Sequence, residues 1–220
     1  RVIDRPMRPL FPKDYRNDVT LNNMVMSVDE ECRPELLAMI GSAIATSISD
    51  IPFDGPCATT QIGMIDGEFI VNPSQAQWQD GDLQLTVAST KQKVIMIEAG
   101  ANEIPEDKMI EAIYKAHDIN QTIIAFIDKI VAEVGKEKHS YVSCAVPAEM
   151  FEAMKKIVTP EQMEEAVFTD DKQTREKNID EVTEKMAEAF ADNEEWLAVL
   201  GVAVYQYQKK TVRKMILKDH

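Results

Sequence analysis

CATTQIGMIDGEFIVN, from Cys57 to Asn72, is the stretch that decides how this chain folds. Two runs of strand-forming residues, Cys57 to Asp66 and Glu68 to Asn72, meet at Asp66-Gly67. That dipeptide is a strong hairpin signal, because a tight two-residue turn needs positive φ and glycine supplies it without a Cβ clash. A short helix or turn from Pro73 to Trp78 leads to a second pair. Leu83 to Ser89 alternates Leu83, Leu85 and Val87, and Val94 to Glu98 is placed to be its hairpin partner. Two hairpins around a helix predict an α+β or βαβ-rich layer rather than a Rossmann unit, and neither GxGxxG nor GxxxxGK occurs.

Upstream, Asp50 to Pro56 is a proline and glycine turn. Before it, Arg33 and Pro34 open a helix in which Leu36, Leu37, Ile40, Ala43, Ile44 and Ser47 follow helical spacing. Its small residues Gly41, Ser42, Ala43 and Ala45 allow a close approach to a sheet. Asp18 to Val28 reads as a strand, with Thr20, Asn22, Met24 and Met26 alternating against Val19, Leu21, Asn23, Val25 and Ser27. The Met side is expected to face the core.

Downstream, Pro105 to Val134 reads as one long helix, with Glu106 and Asp107 at the positive end of its dipole and Gly135 as its stop. Met109, Ile113, His117, Asn120, Ile124, Ile127 and Val131 trace one face. The composition changes over Gly135 to Val146, and further helices are predicted at Pro147 to Val158, Pro160 to Phe168, Asp171 to Ala191 and Asn193 to Leu217. Ile179, Val182, Met186 and Ala189 or Phe190 form one stripe; Trp196, Leu200, Val204, Tyr207 and Thr211 form another. Such stripes are the pattern of a bundle core.

A net charge of −14 opposes global attraction to nucleic acid, so local balance matters. From Phe151 to Leu200, 14 acidic residues face 6 basic ones. Positive charge collects at two places only. Lys209, Lys210, Arg213, Lys214 and Lys218 crowd the end of the last helix, and the opening RVIDRPMRPLFP carries Arg1, Arg5 and Arg8 at spacings of four and three. Arginine forks suit phosphate oxygens, and salt bridges with Asp4 as one partner are the bland alternative. Pro6 and Pro9 point to a helix end running into an extended turn that still presents Arg5 and Arg8 together. Phe11 is placed to stack on a nucleic-acid base, with packing under that turn the favoured reading.

Cys32, Cys57 and Cys144 are widely spaced with no CxxC pairing, as for reduced intracellular thiols. His117, His139 and His220 show no metal-ligand spacing; the first is expected on a helix face and the others in exposed connections. No long apolar run indicates a membrane span.

Several ordered blocks carry a resemblance: IDRPMRPLFP and NDV, Ser27 to Asp29, LAMIGSA at Leu37 to Ala43, SISDIPFDGP at Ser47 to Pro56, IDGEFIVNP at Ile65 to Pro73, Glu98 to Ala101, and VAEVGKEK near Lys138. Together they resemble polynucleotide phosphorylase, specifically the later part of the first of its two ribonuclease-PH-like cores and the all-α domain that follows. The resemblance implies an N-terminally truncated α+β core over residues 1–138, a linker over 139–146 and an all-α domain over 147–220 leading toward a second core. It makes the chain an excised piece of a longer, cytoplasmic protein.

It implies a phosphorolytic 3′-to-5′ exoribonuclease acting in mRNA degradation, with Mg2+ and inorganic phosphate serving the complete enzyme, a homotrimeric ring, single-stranded RNA as partner and further RNA-decay proteins as possible ones. In that family the second core is catalytic, through a strand bearing a metal-binding Asp and, two residues on, a Lys. The corresponding strand here, GDLQLTV from Gly81 to Val87, has Gln84 and Thr86 at those positions. Neither supplies charge, so this half is expected to be noncatalytic and to hold no metal of its own. Arg1, Arg5 and Arg8 match the family's arginine-rich segment along the RNA path and are the expected RNA contacts. The competing expectation is a purely structural module for ring assembly, without RNA contact of its own.

Overall fold

The computed structural model of the chain describes residues 1–29 and 31–218. In chain order the elements are α1 (Asp4–Met7), α2 (Pro34–Ile48), β1 (Ala58–Ile65), β2 (Glu68–Val71), α3 (Gln75–Asp80), β3 (Leu83–Ser89), β4 (Val94–Ala101), α4 (Glu106–Val134), α5 (Ala148–Ile157), α6 (Pro160–Val167), α7 (Lys172–Ala189) and α8 (Glu194–Lys218), with a 3-10 turn over Arg8–Leu10. They form two units, Arg1–Val142 and a second from Ser143 onward. The first is an α+β layer and the second is all helical, the fold class read from the sequence.

The first unit is built on the two hairpins. β1 pairs antiparallel with β2 through the turn at Asp66 (φ 52°) and Gly67 (φ 81°), and β3 pairs antiparallel with both β1 and β4, giving the order β2-β1-β3-β4. Gly81 enters β3 against backbone: a Cβ there would sit 2.9 Å from the Gln77 carbonyl oxygen and 3.0 Å from that of Met64, so only glycine fits. One sheet face, with Ile62, Met64, Leu83, Leu85 and Val87, packs on Ala112 and Ala116 of α4. The alanines let the helix lie close.

One polar group sits inside that packing. Asn120 of α4 is fully buried, donates from Nδ2 to the Val87 carbonyl (3.0 Å) and to Ser89 Oγ (3.1 Å), and accepts from Thr60 Oγ1 (2.8 Å). The helix is thereby tied to β1 and β3 by hydrogen bonds whose loss would strand buried donors. After α4, Lys138 Nζ donates to the carbonyls of Thr46, Ser47 and Ser49 at 3.2, 2.9 and 2.6 Å, and the Lys136 N–H donates to Ile48 at 2.9 Å. A cation thus closes the negative end of the α2 dipole and satisfies its last carbonyls.

Asp18 to Val28 departs from the expectation of a strand. Within this stretch no residue pairs in the sheet, and the single bridge just beyond it joins Asp29 to Cys32. Its methionine side faces away from the core, with Met24 81% and Met26 84% exposed. Alternation prescribes an extended backbone, but it does not supply a neighbour to pair with. In α2 the buried face is Leu36, Met39, Ser42, Ala43, Thr46 and Ser47, while Leu37 lies outside, a rotation of the predicted stripe.

Cys57 is 3% exposed, and burial raises its thiol pKa to about 11 because the core cannot solvate a thiolate. The raised value means the neutral thiol persists well above pH 9. Iodoacetamide at pH 8 is therefore expected to label exposed Cys32 in the folded chain and to reach Cys57 only on unfolding. Equal labelling rates of Cys32 and Cys57, read by peptide mass, would contradict the packing described.

The helical unit closes around Met150, Met154, Met163 and Met186, all fully buried, with Leu200, Val204 and Tyr207 of α8. Tyr207 donates its hydroxyl to the Val158 carbonyl at 2.8 Å, giving its polar end a partner inside the core. Thr159 and Gln162 form a capping box that starts α6, and Asp171 caps α7 through the Thr174 N–H at 2.7 Å. Among the described residues no helix is long and apolar enough to cross a membrane.

Candidate nucleic-acid interface

The arginine segment is held from below. Met7 and Leu10 are buried in a cluster with Ala43, Cys57 and Ile127, and Phe11 packs on Phe53 with ring centroids 5.2 Å apart. Phe11 thus sits under the turn, as its position implied. This anchoring leaves Arg1, Arg5 and Arg8 exposed.

Two of the three arginines have carboxylate partners. Arg8 forks onto Asp4, Nε to Oδ1 at 3.0 Å and NH2 to Oδ2 at 2.6 Å. Arg5 NH1 reaches Glu98 Oε2 of β4 at 3.0 Å. All four side chains are roughly half exposed or more, and ion pairs so placed contribute about 0–1 kcal/mol. A phosphate could replace either carboxylate at small cost. Arg1, Arg8, Lys13, Tyr15 and Arg16 line an open cleft of about 750 Å³ on this unit.

The neutral strand positions lie on the sheet face that Arg5 reaches. Along β3, Leu83, Leu85 and Val87 face α4, so Gln84 and Thr86 occupy the other sheet face. Thr86 is directly opposite Glu98 in register, which places it on the face where Arg5 finds its partner. Gln84 donates to the Trp78 carbonyl at 2.7 Å, and Thr86 accepts from Gln61 Nε2 at 3.3 Å. Both are committed to protein hydrogen bonds. Sequence reading missed Glu98 as part of this site, because its link to Arg5 spans 93 residues and leaves no local signal.

His117 is half-buried on α4 beside Gln121, and His139 contacts the Tyr15 hydroxyl at 3.3 Å; His220 lies outside the described residues. Among the described residues no group of three or more His, Cys, Asp or Glu could hold a metal ion.

Two family models match the chain. One, described as the 3′ exoribonuclease family, domain 2, covers residues 55–119, from the start of the sheet into α4. The other, the polyribonucleotide nucleotidyltransferase RNA binding domain, covers residues 149–220. Across all of the chain, a polyribonucleotide nucleotidyltransferase of Lachnoclostridium phytofermentans is 72% identical over 221 residues. The chain thus matches, from end to end, one stretch of polyribonucleotide nucleotidyltransferases. Other polyribonucleotide nucleotidyltransferases are 47% identical (Ruminiclostridium cellulolyticum, 100% of this chain) and 44% identical (Halalkalibacterium halodurans, 98%). The chain spans about a third of the length of these relatives: 32%, 31% and 31%. Within the family match, Gln84 and Thr86 fall inside the first matched range, whereas Arg1, Arg5 and Arg8 precede it.

Proposed function

We propose that this chain is part of a phosphorolytic 3′-to-5′ exoribonuclease, in which inorganic phosphate displaces the terminal nucleotide of RNA as a nucleoside diphosphate. The whole-chain identity of 72% to a polyribonucleotide nucleotidyltransferase carries the reading. In it, the first unit is a noncatalytic half that guides single-stranded RNA through Arg1, Arg5 and Arg8 and contributes to a cytoplasmic homotrimeric ring acting in mRNA decay, where other decay proteins join it as partners. Support for the noncatalytic role comes from β3, where Gln84 and Thr86 are uncharged and already hydrogen-bonded to the protein. Phosphoryl transfer needs concentrated positive charge or a metal at the reacting group. Glu98, the carboxylate opposite Thr86, already pairs with Arg5, and no step is assigned to Mg2+ in this chain.

The bridges Arg5–Glu98 and Arg8–Asp4 favour a second reading, a structural module for assembly whose arginines serve only its own fold. One experiment separates the two. The chain is incubated with short single-stranded RNA, phosphate and Mg2+, and nucleoside diphosphate and RNA affinity are both measured. No diphosphate is expected, together with binding that weakens as salt rises and falls several-fold in Arg5→Ala. Diphosphate release would overturn the noncatalytic assignment. Absence of RNA binding would leave the assembly reading, and binding unchanged by removal of all three arginines would take the RNA contact away from them.

A further inference from the structure

Away from the basic end of α8 the helical unit is strongly acidic, yet one groove on it is built the other way. Between α5 and α8 lies a concavity of about 630 Å³, within the range of small-ligand sites, whose walls include Phe151, Glu152, Lys155, Tyr207, Lys210 and Lys214. Lys210 Nζ stands 4.0 Å over the Phe151 ring, and Tyr207 meets that ring edge-on at 5.7 Å. The groove therefore combines an aromatic wall with ammonium groups at its rim. Among the described residues the ion pairs of this unit are Lys155–Glu152, Lys172–Glu176 and Lys177–Glu181, none of which uses Lys210 or Lys214.

We infer that this groove takes a nucleotide of single-stranded RNA: Lys210 turns from the Phe151 ring to share the phosphate with Lys214, and the base takes its place on the ring. The inference rests on the RNA reading above and gives the helical unit a contact surface of its own. Charge complementarity favours it: the basic end of α8 is the one cationic concentration in a unit that repels polyanions elsewhere, so a strand reaching the unit is steered to this groove. Stacking on an aromatic face with cations along the backbone is the physics of sequence-tolerant single-strand binding. Glu152 is the opposing element. Its carboxylate holds Lys155 at 2.6 Å and competes with an incoming phosphate for the cations.

The test uses the full chain and fluorescein-labelled oligo(A), followed by anisotropy across a salt series, with fold checked by circular dichroism. Lys210→Glu with Lys214→Glu is expected to weaken binding roughly tenfold or more and to make the slope of log affinity against log salt shallower by about 1. A matched control, Lys172→Glu with Lys177→Glu on α7, changes net charge equally and is expected to do far less. Phe151→Leu should weaken binding with little change of salt slope, since stacking releases no counterions. Glu152→Gln should tighten binding roughly two- to fivefold, an effect of the sign that lost packing would not produce.

Failure has distinct forms. If the wild-type chain binds no RNA, both this inference and the RNA reading fall. If it binds and the groove and control pairs weaken it equally, the groove falls while the RNA reading stands. Saturation of the groove by ADP, with RNA unable to displace it, would assign the site to free nucleotide and overturn the strand assignment.

Discussion

Asn120→Ala is expected to lower the stability of the α+β unit by about 3 kcal/mol, the largest effect anticipated from a single polar residue of this chain. The side chain is fully buried and fills three hydrogen bonds, to Thr60, Val87 and Ser89. Truncation leaves the Thr60 hydroxyl and the Ser89 oxygen without that partner in a site closed to bulk water, and each such loss costs roughly 1–3 kcal/mol, less than additively. Trp78 is the sole tryptophan of this unit and Trp196 that of the helical one, so in a Trp196→Phe background urea unfolding followed by fluorescence reports this unit alone. The midpoint should fall markedly, and Thr60→Val combined with Asn120→Ala should cost less than the sum. Asn120→Asp provides a sign test. A buried carboxylate without a cation has a raised pKa, so the deficit relative to wild type should be full at pH 7 and shrink as pH falls and the acid becomes neutral. A deficit independent of pH, or below about 1 kcal/mol for alanine, would mean water replaces the lost partners.

That residue also marks the limit of what the sequence discloses. Asn120 reads as one member of the α4 stripe between His117 and Ile124; only the fold places it opposite Thr60 and Ser89, sixty and thirty-one residues away. The hairpins are legible because their information is local: alternation of period two, and a turn dipeptide at Asp66-Gly67. Helices α4 to α8 are legible for the same reason, through periodic apolar positions and proline or capping starts. Asp18 to Val28 carries an equally good alternation and still forms no strand, since pairing depends on a neighbour that alternation does not specify.

The candidate sites divide likewise. Charge clustering along the chain is enough to expose the arginine segment and the basic end of α8. Glu98 beneath Arg5, and Phe151 beneath Lys210, are invisible until the chain is folded, because each lies tens of residues from its partner. Replacing charge by Gln84 and Thr86 is readable only through the family resemblance; the structure adds that both side chains are spent on hydrogen bonds within the unit.

Met186→Ala should have a comparable effect in the helical unit, and a more local one. Helix α7 is the most polar of the bundle, and Met186 is its one fully buried side chain; Ile179, Val182 and Ala187 are only partly covered. Its surface pairs, Lys172–Glu176 at 3.6 Å and Lys177–Glu181 at 3.7 Å, contribute at most a few tenths of a kcal/mol each. An 18-residue helix of this kind is marginal in water by itself, so its docking depends on that one methionine. Truncation to alanine removes buried contacts and leaves a cavity, at about 2–5 kcal/mol. Because Phe190, just past the helix, stacks edge-on against Trp196 at 4.9 Å, release of α7 should also shift Trp196 emission. Amide exchange is expected to accelerate along Lys172–Ala189 while α4 keeps its protection, since Met186 belongs to the core cluster of the helical unit and α4 to that of the α+β unit. Met186→Leu keeps the volume and should cost under about 1.5 kcal/mol. If alanine left α7 as protected as in wild type, the helix would owe its place to the half-covered Ile179 and Val182 rather than to the methionine core.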